Sequence, residues 1–535
     1  SSGTKTVEST TSARVAADLP ALQAGQLYAG ASKVSIYPRP NDYRAEFPGA
    51  QWLRDEEACE VFSPNQAGVE AGATHVADYR VRWPENPDCL YMGGYGIGPM
   101  NSIDEWDEEY GLWTRSVAMQ DAQGDTVVLT LIDAVYWEAH YNSMCPGQPC
   151  GFIDIANQLA EQTGLPAKSF VFASTHSHTS MDFIGGWGAV PDWYMQQATD
   201  SLKASVIHAL NSMQPAVLEA GEAIVRERNG ERRDFYRSAE DDNLSWFRLL
   251  DADDQPGPQV CEPYTPAPEP SPTKGPKDLP GPGPMPVCEP AAPGRAIATV
   301  GAYAAHPVTE DEGGGQADAD FPAVFAKSVE QAHGGTGMFL QTGLGNVSPR
   351  GNKVEMGTGL ASYVPAIGAG GSQVTNPDIR VGRMFWDQPT TNVPLGSLGV
   401  AGFFDRKFNQ TPAVVDEGKS GSQNKRCHSA SQVSVNTSVS AVKIGNLWIT
   451  GGPGEIFSGL SNTLEERNPG GVTLALGLVN DGLGYIIQSY ETDHLGRQGT
   501  GFVGDPLAEY EDAYSIDHCI GDATLENTIE LLGQI

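Results

Sequence analysis

The chain has 535 residues, of which 40% are hydrophobic and 19% are charged, and this balance is typical of a folded protein and excludes bulk disorder. The formal net charge of −34 disfavours nucleic acid as a partner, because phosphate binding requires clustered lysine and arginine. The same charge disfavours an anionic membrane surface, and the chain has no apolar stretch of about 18 residues that could form a transmembrane segment.

The N-terminal segment, residues 1–27, begins with a Ser-, Thr- and Ala-rich stretch without hydrophobic periodicity. We expect it to form an arm that is free or docks on another molecule, including a second copy of the chain. A strand is predicted over residues 27–38, where Val34 and Ile36 alternate with polar residues. The irregular residues 39–88 follow as a first insertion-like loop.

Predicted strands and helices then alternate along the chain. The predicted strands cover residues 112–119, 126–133, 169–173, 216–225, 244–250, 296–305, 337–341, 442–450 and 472–479. The predicted helices cover residues 152–163, 193–212, 321–332, 456–467 and 523–532. Near-continuous apolar runs, such as the one at 126–133, are typical of strands buried on both faces. We therefore predict an α/β or α+β fold with a central, mostly buried sheet flanked by helices.

Further insertions are predicted near residues 253–294 and 350–435, and residues 350–385 are expected to be a Gly-rich loop. The eight cysteines are Cys59, Cys89, Cys145, Cys150, Cys261, Cys288, Cys427 and Cys519. Their even number and loop-like surroundings, without a Cys-x-x-Cys array, predict disulfides and an oxidising compartment. Proximity in the sequence predicts that each cysteine pairs with the next one along the chain, which gives the pairs 59–89, 145–150, 261–288 and 427–519.

The first residue of the chain is also consistent with an oxidising, extracytoplasmic compartment. It begins at Ser1 without methionine, as a mature protein would after signal removal, although a recombinant chain would look the same. We expect a secreted protein, in the extracellular or periplasmic space.

Two histidines follow the predicted strand at 169–173, in the segment Thr175-His-Ser-His178. At strand spacing, side chains at i and i+2 share one face. Neutral imidazole is the commonest metal ligand, so His176 and His178 are candidates for half of a zinc site. Two ordinary loop histidines would give the same pattern.

Three further apolar strands end in polar, turn-forming clusters that contain His306, Glu455 and Tyr485. Each residue alone has an ordinary explanation: a capped strand end, an acidic residue at a helix start, and a packing tyrosine. Together they favour convergence on one tetrahedral metal ion, because strand ends are where open sheets collect functional side chains.

Several short segments, in their order along the chain, resemble the neutral ceramidases, the neutral/alkaline non-lysosomal ceramidases. The segments are Ala29-Gly-Ala-Ser-Lys-Val-Ser-Ile-Tyr-Pro38, Met92-Gly-Gly-Tyr95, Thr175-His-Ser-His178, His306-Pro307 with Ala319-Asp-Phe-Pro322, Gly345-Asn-Val-Ser-Pro349, Gly452-Pro-Gly-Glu455 and Gly484-Tyr-Ile486. Two departures are Ser35, where the family has aspartate, and Thr179-Ser180-Met181, where Ser-Gly-Pro is usual.

The resemblance implies that residues 28–535 form a catalytic domain with one zinc ion. His176, His306, Glu455 and Tyr485 match the positions where the family binds that zinc. The predicted cofactor is therefore Zn²⁺, and a structural Ca²⁺ or Mg²⁺ ion is a second cofactor prediction.

The resemblance also assigns three catalytic candidates. His178 and Arg232 match positions where the family contacts the reacting centre of the substrate. Ser348 matches a serine that has been considered for a nucleophilic role, and we expect it to have a structural or substrate-binding role instead. No nucleophile elbow surrounds Ser348, whereas a metal-activated water needs none.

The function implied by the resemblance is that of a zinc-dependent amidohydrolase, which cleaves the N-acyl amide bond of a ceramide-like lipid through a zinc-activated water. One alternative is an esterase or amidase for soluble substrates. Another is an extracellular structural, filament-forming or binding protein that kept the ceramidase-like core and uses residues 1–27 for self-association. Zinc content separates enzyme from scaffold, and a substrate panel separates the two enzymes.

Overall fold

The computed structural model describes residues 6–7, 19–59, 88–96, 98–232, 239–253, 296–310, 314–400, 404–419, 426–493 and 510–535. Much of the predicted insertions at 39–88 and 253–294 lies outside these residues, as does the predicted pair Cys261–Cys288. Among the described residues, no helix combines the length and the apolar character needed to cross a membrane.

The strands of the N-terminal half are β1 (Thr6–Val7), β2 (Leu27–Ser35), β3 (Glu105–Trp106), β4 (Trp113–Gln120), β5 (Thr126–Ile132), β6 (Phe170–Ser174), β7 (Gln214–Ile224), β8 (Asn229–Glu231) and β9 (Asn243–Asp251). Those of the C-terminal half are β10 (Ala296–Tyr303), β11 (Gln316–Ala317), β12 (Thr336–Gln341), β13 (Val347–Pro349), β14 (Ser372–Gln373), β15 (Ile379–Pro389), β16 (Ala413–Lys419), β17 (Arg426–Ser431), β18 (Ser434–Ile444), β19 (Leu447–Gly451), β20 (Glu455–Ile456), β21 (Val472–Leu476) and β22 (Tyr485–Ile486).

The helices are α1 (Glu56–Cys59), α2 (Phe152–Thr163), α3 (Asp192–Asn211), α4 (Phe321–His333), α5 (Lys353–Ala361), α6 (Val393–Val400), α7 (Ser458–Glu465), α8 (Ser489–Asp493), α9 (Tyr510–Ala513) and α10 (Ile520–Gln534). Short 3-10 turns cover Pro40–Tyr43 and Ala167–Ser169.

Two sheets pack face to face at the centre of the fold. The larger sheet has nine strands, in the order β12-β10-β9-β7-β2-β4-β5-β6, with β14 paired to β7, and the smaller has the order β1-β15-β18-β19-β21. One apolar cluster contains side chains of both, such as Leu129 and Val300 from the larger sheet and Val442 and Leu474 from the smaller. The inner faces are therefore buried against each other, which explains the near-continuous apolar runs.

Helices cover the outer faces of both sheets. On the larger sheet, Leu159 of α2 and Leu202 of α3 share a buried cluster with Phe172 of β6. On the smaller sheet, Leu464 of α7 and Leu531 of α10 belong to a cluster that includes the adjoining strand β18. The predicted α/β fold with a buried sheet flanked by helices is confirmed, and the structure adds a second sheet to it.

Two predicted segments are wrong in detail. The single strand predicted over 442–450 is a hairpin of β18 and β19, since Gly445 turns the chain with a φ of 57°. The loop predicted over 350–385 contains α5 and the start of β15. Asn352 and Glu355 form a capping box, in which each side chain accepts from the backbone N–H of the other, and this starts α5.

Three of the predicted disulfides are confirmed. Cys59 bonds to Cys89, and the neighbouring pair Cys145–Cys150 closes a short loop. The third disulfide joins Cys427 in β17 to Cys519 at the start of α10, with a sequence separation of 92 residues. The covalent links therefore lie outside the two large central sheets.

The described residues of the predicted N-terminal arm contact their own chain. Thr6 and Val7 pair antiparallel with Phe385 and Met384, at the edge of the smaller sheet. At these positions the arm is therefore not free of its domain. Residues 8–18 lie outside the described part of the chain.

Candidate metal centre

The first histidine of the candidate site lies directly after β6. His176 has a φ of 67°, in the left-handed region that is uncommon for residues other than glycine. Its backbone N–H donates to Ala134 O at 2.8 Å, and its ring Nδ1 lies 2.8 Å from Val135 O. A carbonyl can only accept, so Nδ1 carries a proton and Nε2 is the ring nitrogen that faces the rest of the site.

The second imidazole is held in the same way. His306 follows β10, and both its backbone N–H and its Nδ1 donate to Val347 O, at 3.2 and 3.0 Å. Gln341, at the end of β12, connects the two strand ends, because its Nε2 donates to Thr175 O at 3.3 Å and its Oε1 accepts from Ala305 N at 3.4 Å. Backbone carbonyls thus fix the tautomer and the orientation of both rings, as is usual for metal-bound histidines.

The buried carboxylate of Glu455 lies between these rings. Its Oε1 is 2.8 Å from His176 Nε2 and 2.9 Å from His306 Nε2. Burial alone would raise the pKa of Glu455, but the two imidazoles outweigh it and hold that pKa well below its usual range. Burial, with Arg232 nearby, lowers the pKa of His306 to about 4. The site therefore presents an ionised carboxylate and neutral imidazole, which are the protonation states that bind metals.

These contacts test whether a metal fits. Because each Nδ1 proton is donated to a carbonyl, His176 Nε2 and His306 Nε2 are the ring atoms that face Glu455 Oε1. Three lone-pair-bearing atoms so close together repel unless a proton or a metal cation lies among them. Two imidazoles and a carboxylate are also a ligand set of catalytic zinc sites. The residues fit a zinc ion.

His178 lies beside this ligand set. Its Nε2 is 3.2 Å from His176 Nε2, and the ligand atoms of His176, His178 and His306 all lie within 4.8 Å of one another. Among the residues that the structure describes, its buried Nδ1 finds no hydrogen-bond partner. Burial, reinforced by the other two imidazoles, holds the pKa of His178 well below its usual range. A neutral His178 can thus bind the same ion or exchange a proton next to it.

The glycine turn at Met92-Gly-Gly-Tyr95 shapes the other side of His178. Gly94 has a φ of 110°, and a Cβ there would lie 2.5 Å from His178 Cγ, so glycine is required for both backbone and space. The ring of Tyr95 packs edge-on against His178, with centroids 5.0 Å apart. This segment therefore positions the imidazole.

Arg232 lies next to Tyr485 and Ser348, close to the ligand set. Its Nε donates to Ser348 Oγ at 3.3 Å, and its Nη1 lies 3.5 Å from Tyr485 Oη and 3.6 Å from Glu511 Oε1. Burial disfavours the charge, but Tyr485, Glu511 and Glu455 outweigh it and raise the pKa of Arg232. A fixed positive charge therefore lies beside the candidate metal site.

Tyr485 is connected to the carboxylate through the backbone. The short strands β20 and β22 are parallel, with Glu455 in register with Tyr485. The Tyr485 ring is 6.3 Å from that of His306, measured between centroids. The structure thus gathers all the residues predicted for the site into one continuous set of contacts, while their roles stay predictions.

The segment Gly345-Asn-Val-Ser-Pro349 links the two sides of the site. Asn346 O accepts from Arg232 N, and Asn346 Oδ1 accepts from Ser458 N at the start of α7, both at 2.8 Å. Val347 O holds His306, as described above, and Ser348 contacts Arg232. The segment therefore sets the distance between the imidazoles and the guanidinium.

Sequence reasoning missed Tyr136 and Gln341. Tyr136 follows β5, which runs parallel to β6, and its hydroxyl donates to Glu455 Oε2. The signal that identified His176, a polar group after an apolar strand, applies to both missed residues.

A mainly apolar cavity opens beside the ligand set, and it encloses about 1080 Å³ when the space open to solvent is included. His176, His178 and Glu455 contribute to one side of it. The apolar part of its wall includes Ile184, Leu395, Phe404, Phe408, Leu483 and Ile516. The cavity can therefore hold an apolar group next to the candidate metal centre.

Elsewhere in the described part of the chain, only one further group of three metal-ligating side chains comes together: Cys427, His518 and Cys519. Its two cysteines form a disulfide, so their sulfur atoms are not thiolate ligands. The site around Glu455 is therefore the candidate metal centre.

The sequence matches no protein-family model and no curated protein. The fold, however, is similar to that of solved ceramidase structures. A neutral ceramidase from Pseudomonas aeruginosa aligns with a TM-score of 0.58 and 13% identity, over 95% of this chain and 74% of that chain. A ceramidase complexed with C2 aligns with the same TM-score and identity, over 95% of this chain and 75% of that chain. The chain therefore has a ceramidase-like fold.

Proposed function

We propose that the protein is a secreted, zinc-dependent amidohydrolase that cleaves the N-acyl amide bond of a ceramide-like lipid. The observation that supports this most directly is the convergence of His176 Nε2 and His306 Nε2 on Glu455 Oε1, at 2.8 and 2.9 Å in a buried site. The ceramidase-like fold favours the same class of reaction.

In this proposal His176, His306 and Glu455 hold the zinc ion, and Tyr485, in register with Glu455, is the fourth ligand. When bound, zinc supplies a Lewis acid and lowers the pKa of a water molecule to about 7. The backbone carbonyls behind the two imidazoles keep Nε2 directed at the ion.

The residues beside the ligands have separate tasks. Arg232, whose raised pKa keeps it cationic, stabilises the negative charge that develops on the amide oxygen in the transition state. His178, neutral and with an Nδ1 that has no partner within the described part of the chain, takes up a proton during attack and returns it to the leaving amine.

Ser348 supports Arg232 in this proposal and does not attack the substrate. Its Oγ accepts a hydrogen bond from Arg232 Nε. A nucleophilic serine needs an adjacent base, and a guanidinium cannot accept a proton.

The cavity supports an apolar acyl group in the substrate, because its apolar wall adjoins the ligand set. The disulfides Cys59–Cys89, Cys145–Cys150 and Cys427–Cys519 support secretion, since such bonds persist in oxidising compartments.

The test combines metal analysis with a substrate panel. Protein purified without chelators should contain about one zinc ion per chain. It should hydrolyse N-acyl lipid amides faster than water-soluble acyl amides and esters. Absence of a transition metal contradicts the zinc site, and preference for the soluble compounds favours the esterase or amidase alternative. A zinc-loaded protein that hydrolyses nothing in the panel points to a structural or binding protein.

A further inference from the structure

We propose that Tyr136 is a positioning residue, whose hydroxyl holds Glu455 as a ligand through one oxygen only. The inference rests on the proposed metal site and adds a residue to it. The observation behind it is that the two carboxylate oxygens of Glu455 have different contacts. Oε1 lies close to both His176 Nε2 and His306 Nε2, whereas Oε2 accepts the hydrogen bond of Tyr136.

The different contacts of Oε1 and Oε2 determine how the carboxylate can bind an ion. A carboxylate that binds through both oxygens must turn both towards the metal. The Tyr136 hydroxyl engages Oε2 and so opposes that rotation of Glu455. With four proposed protein ligands, binding of Glu455 through one oxygen keeps the protein ligand atoms at four, so that water or substrate would take a fifth position rather than a sixth.

The ring of Tyr136 is held independently of any metal. It stacks on Trp187 with an interplanar angle of 15° and centroids 6.4 Å apart. Trp187 is anchored in turn, because its Nε1 donates to Gly96 O at 2.8 Å and its backbone N–H donates to Asp182 at 2.7 Å. On the other side, a Cβ at Gly482 would lie 2.8 Å from Tyr136 Cδ1. The phenol therefore meets Glu455 from a preformed position.

A purely structural tyrosine would show the same packing, so the test must separate the hydroxyl from the ring. Tyr136→Phe keeps the ring contacts and removes only the donor to Glu455. We expect the zinc affinity, measured by competition with a chelator, to fall about 10–100-fold, as for loss of an outer partner of a metal ligand. We expect the metal-free protein to stay folded, with the circular dichroism spectrum of the wild type, because the ring contacts of Tyr136 are kept.

Cobalt substitution reports on the coordination directly. If Glu455 turns to bind through both oxygens in Tyr136→Phe, the visible absorption of the Co²⁺-loaded protein should weaken, as it does when coordination number rises. The matched control is Tyr194→Phe. Tyr194 is buried outside the site, and its hydroxyl donates to Ile36 O at 2.7 Å. This variant should keep wild-type zinc affinity and the wild-type cobalt spectrum.

A double-mutant cycle isolates the pair. The loss of zinc affinity caused by Tyr136→Phe should shrink when Glu455→Gln is already present, because residues in direct contact do not act additively. Wild-type affinity in Tyr136→Phe, or additive losses in the double variant, overturns the inference. A wild type that binds zinc but hydrolyses no amide overturns the proposed function and leaves this inference standing. A wild type that binds no zinc overturns both.

Discussion

The two halves of the candidate metal centre are held by different means. The imidazole half, His176 and His306 at the ends of β6 and β10, is fixed by the backbone carbonyls of Val135 and Val347. The carboxylate half is Glu455, which lies in the short parallel pair of strands β20 and β22. Its Oε2 accepts a hydrogen bond from the hydroxyl of Tyr136. A backbone carbonyl survives any substitution, whereas a phenol does not. Zinc affinity should therefore be adjustable through the carboxylate half without disturbing the imidazole half.

The largest loss of zinc is expected from His306→Ala, which removes a ligand from the rigid half. Affinity should fall by more than about 100-fold, because loss of an outer partner alone costs about 10–100-fold. Competition with a chelator measures it. His208→Ala, which removes a buried histidine of α3 outside the site, is the control. Wild-type zinc content in His306→Ala would remove this residue from the ligand set.

Glu455→Gln comes next and tests the carboxylate half. It keeps size and shape but removes the charge, and a neutral amide is a poorer zinc ligand than a carboxylate. Zinc affinity and amide hydrolysis should fall together, on the order of 100-fold. Glu455→Asp, which keeps the charge and shortens the reach, separates charge from position. Full activity in Glu455→Gln would show that the carboxylate does not bind the ion.

His178→Ala should leave zinc in place and lower the rate. We place His178 beside the ion, so kcat should fall by about 10²–10³-fold, as for loss of one group that stabilises a transition state. Zinc content and kcat are measured on the same preparation. Loss of zinc in this variant would instead make His178 a third imidazole ligand, which its 3.2 Å distance from His176 Nε2 allows geometrically.

The smallest effect is expected from Ser348→Ala, which removes the hydrogen bond from Arg232 Nε. The rate should fall by about tenfold, the equivalent of one hydrogen bond to a charged group at about 1.4 kcal/mol. Zinc affinity should not change. Turnover abolished with zinc intact would make Ser348 the nucleophile and refute the metal-based proposal.

The sequence predicts a helix or strand correctly where one hydrophobic pattern, helical or alternating, dominates the segment. Helix α2 was predicted with the observed bounds, because its apolar spacing is regular and Gly164 ends it in the left-handed region. The turn at Gly445 was missed because Val442–Thr450 alternates almost without interruption through the hairpin. The stacking of two sheets was not predicted, since an apolar run shows burial on both faces without saying what covers each face.

The same limit applies to the site. His176, His306 and Glu455 could be found because histidine and glutamate at strand ends are conspicuous. That Glu455 Oε1 faces both imidazoles while Oε2 faces Tyr136 depends on distances between β5, β6, β10 and β20, which are far apart in the chain. Local sequence contains no record of such distances, so the contact between Tyr136 and Glu455 is visible only in three dimensions, although Tyr136 itself follows an apolar strand.

The Cys427–Cys519 disulfide has a consequence for how the centre assembles. The covalent ring that it closes contains Glu455 and Tyr485 and excludes both His176 and His306. In the chain-entropy model, a ring of about 100 residues restricts the unfolded chain by about 4.7 kcal/mol. The oxidised, unfolded protein therefore already confines the carboxylate and the phenol to one small volume. His176 and His306 lie outside that ring and are joined to it only through the preceding chain, so they reach the carboxylate by closing longer loops.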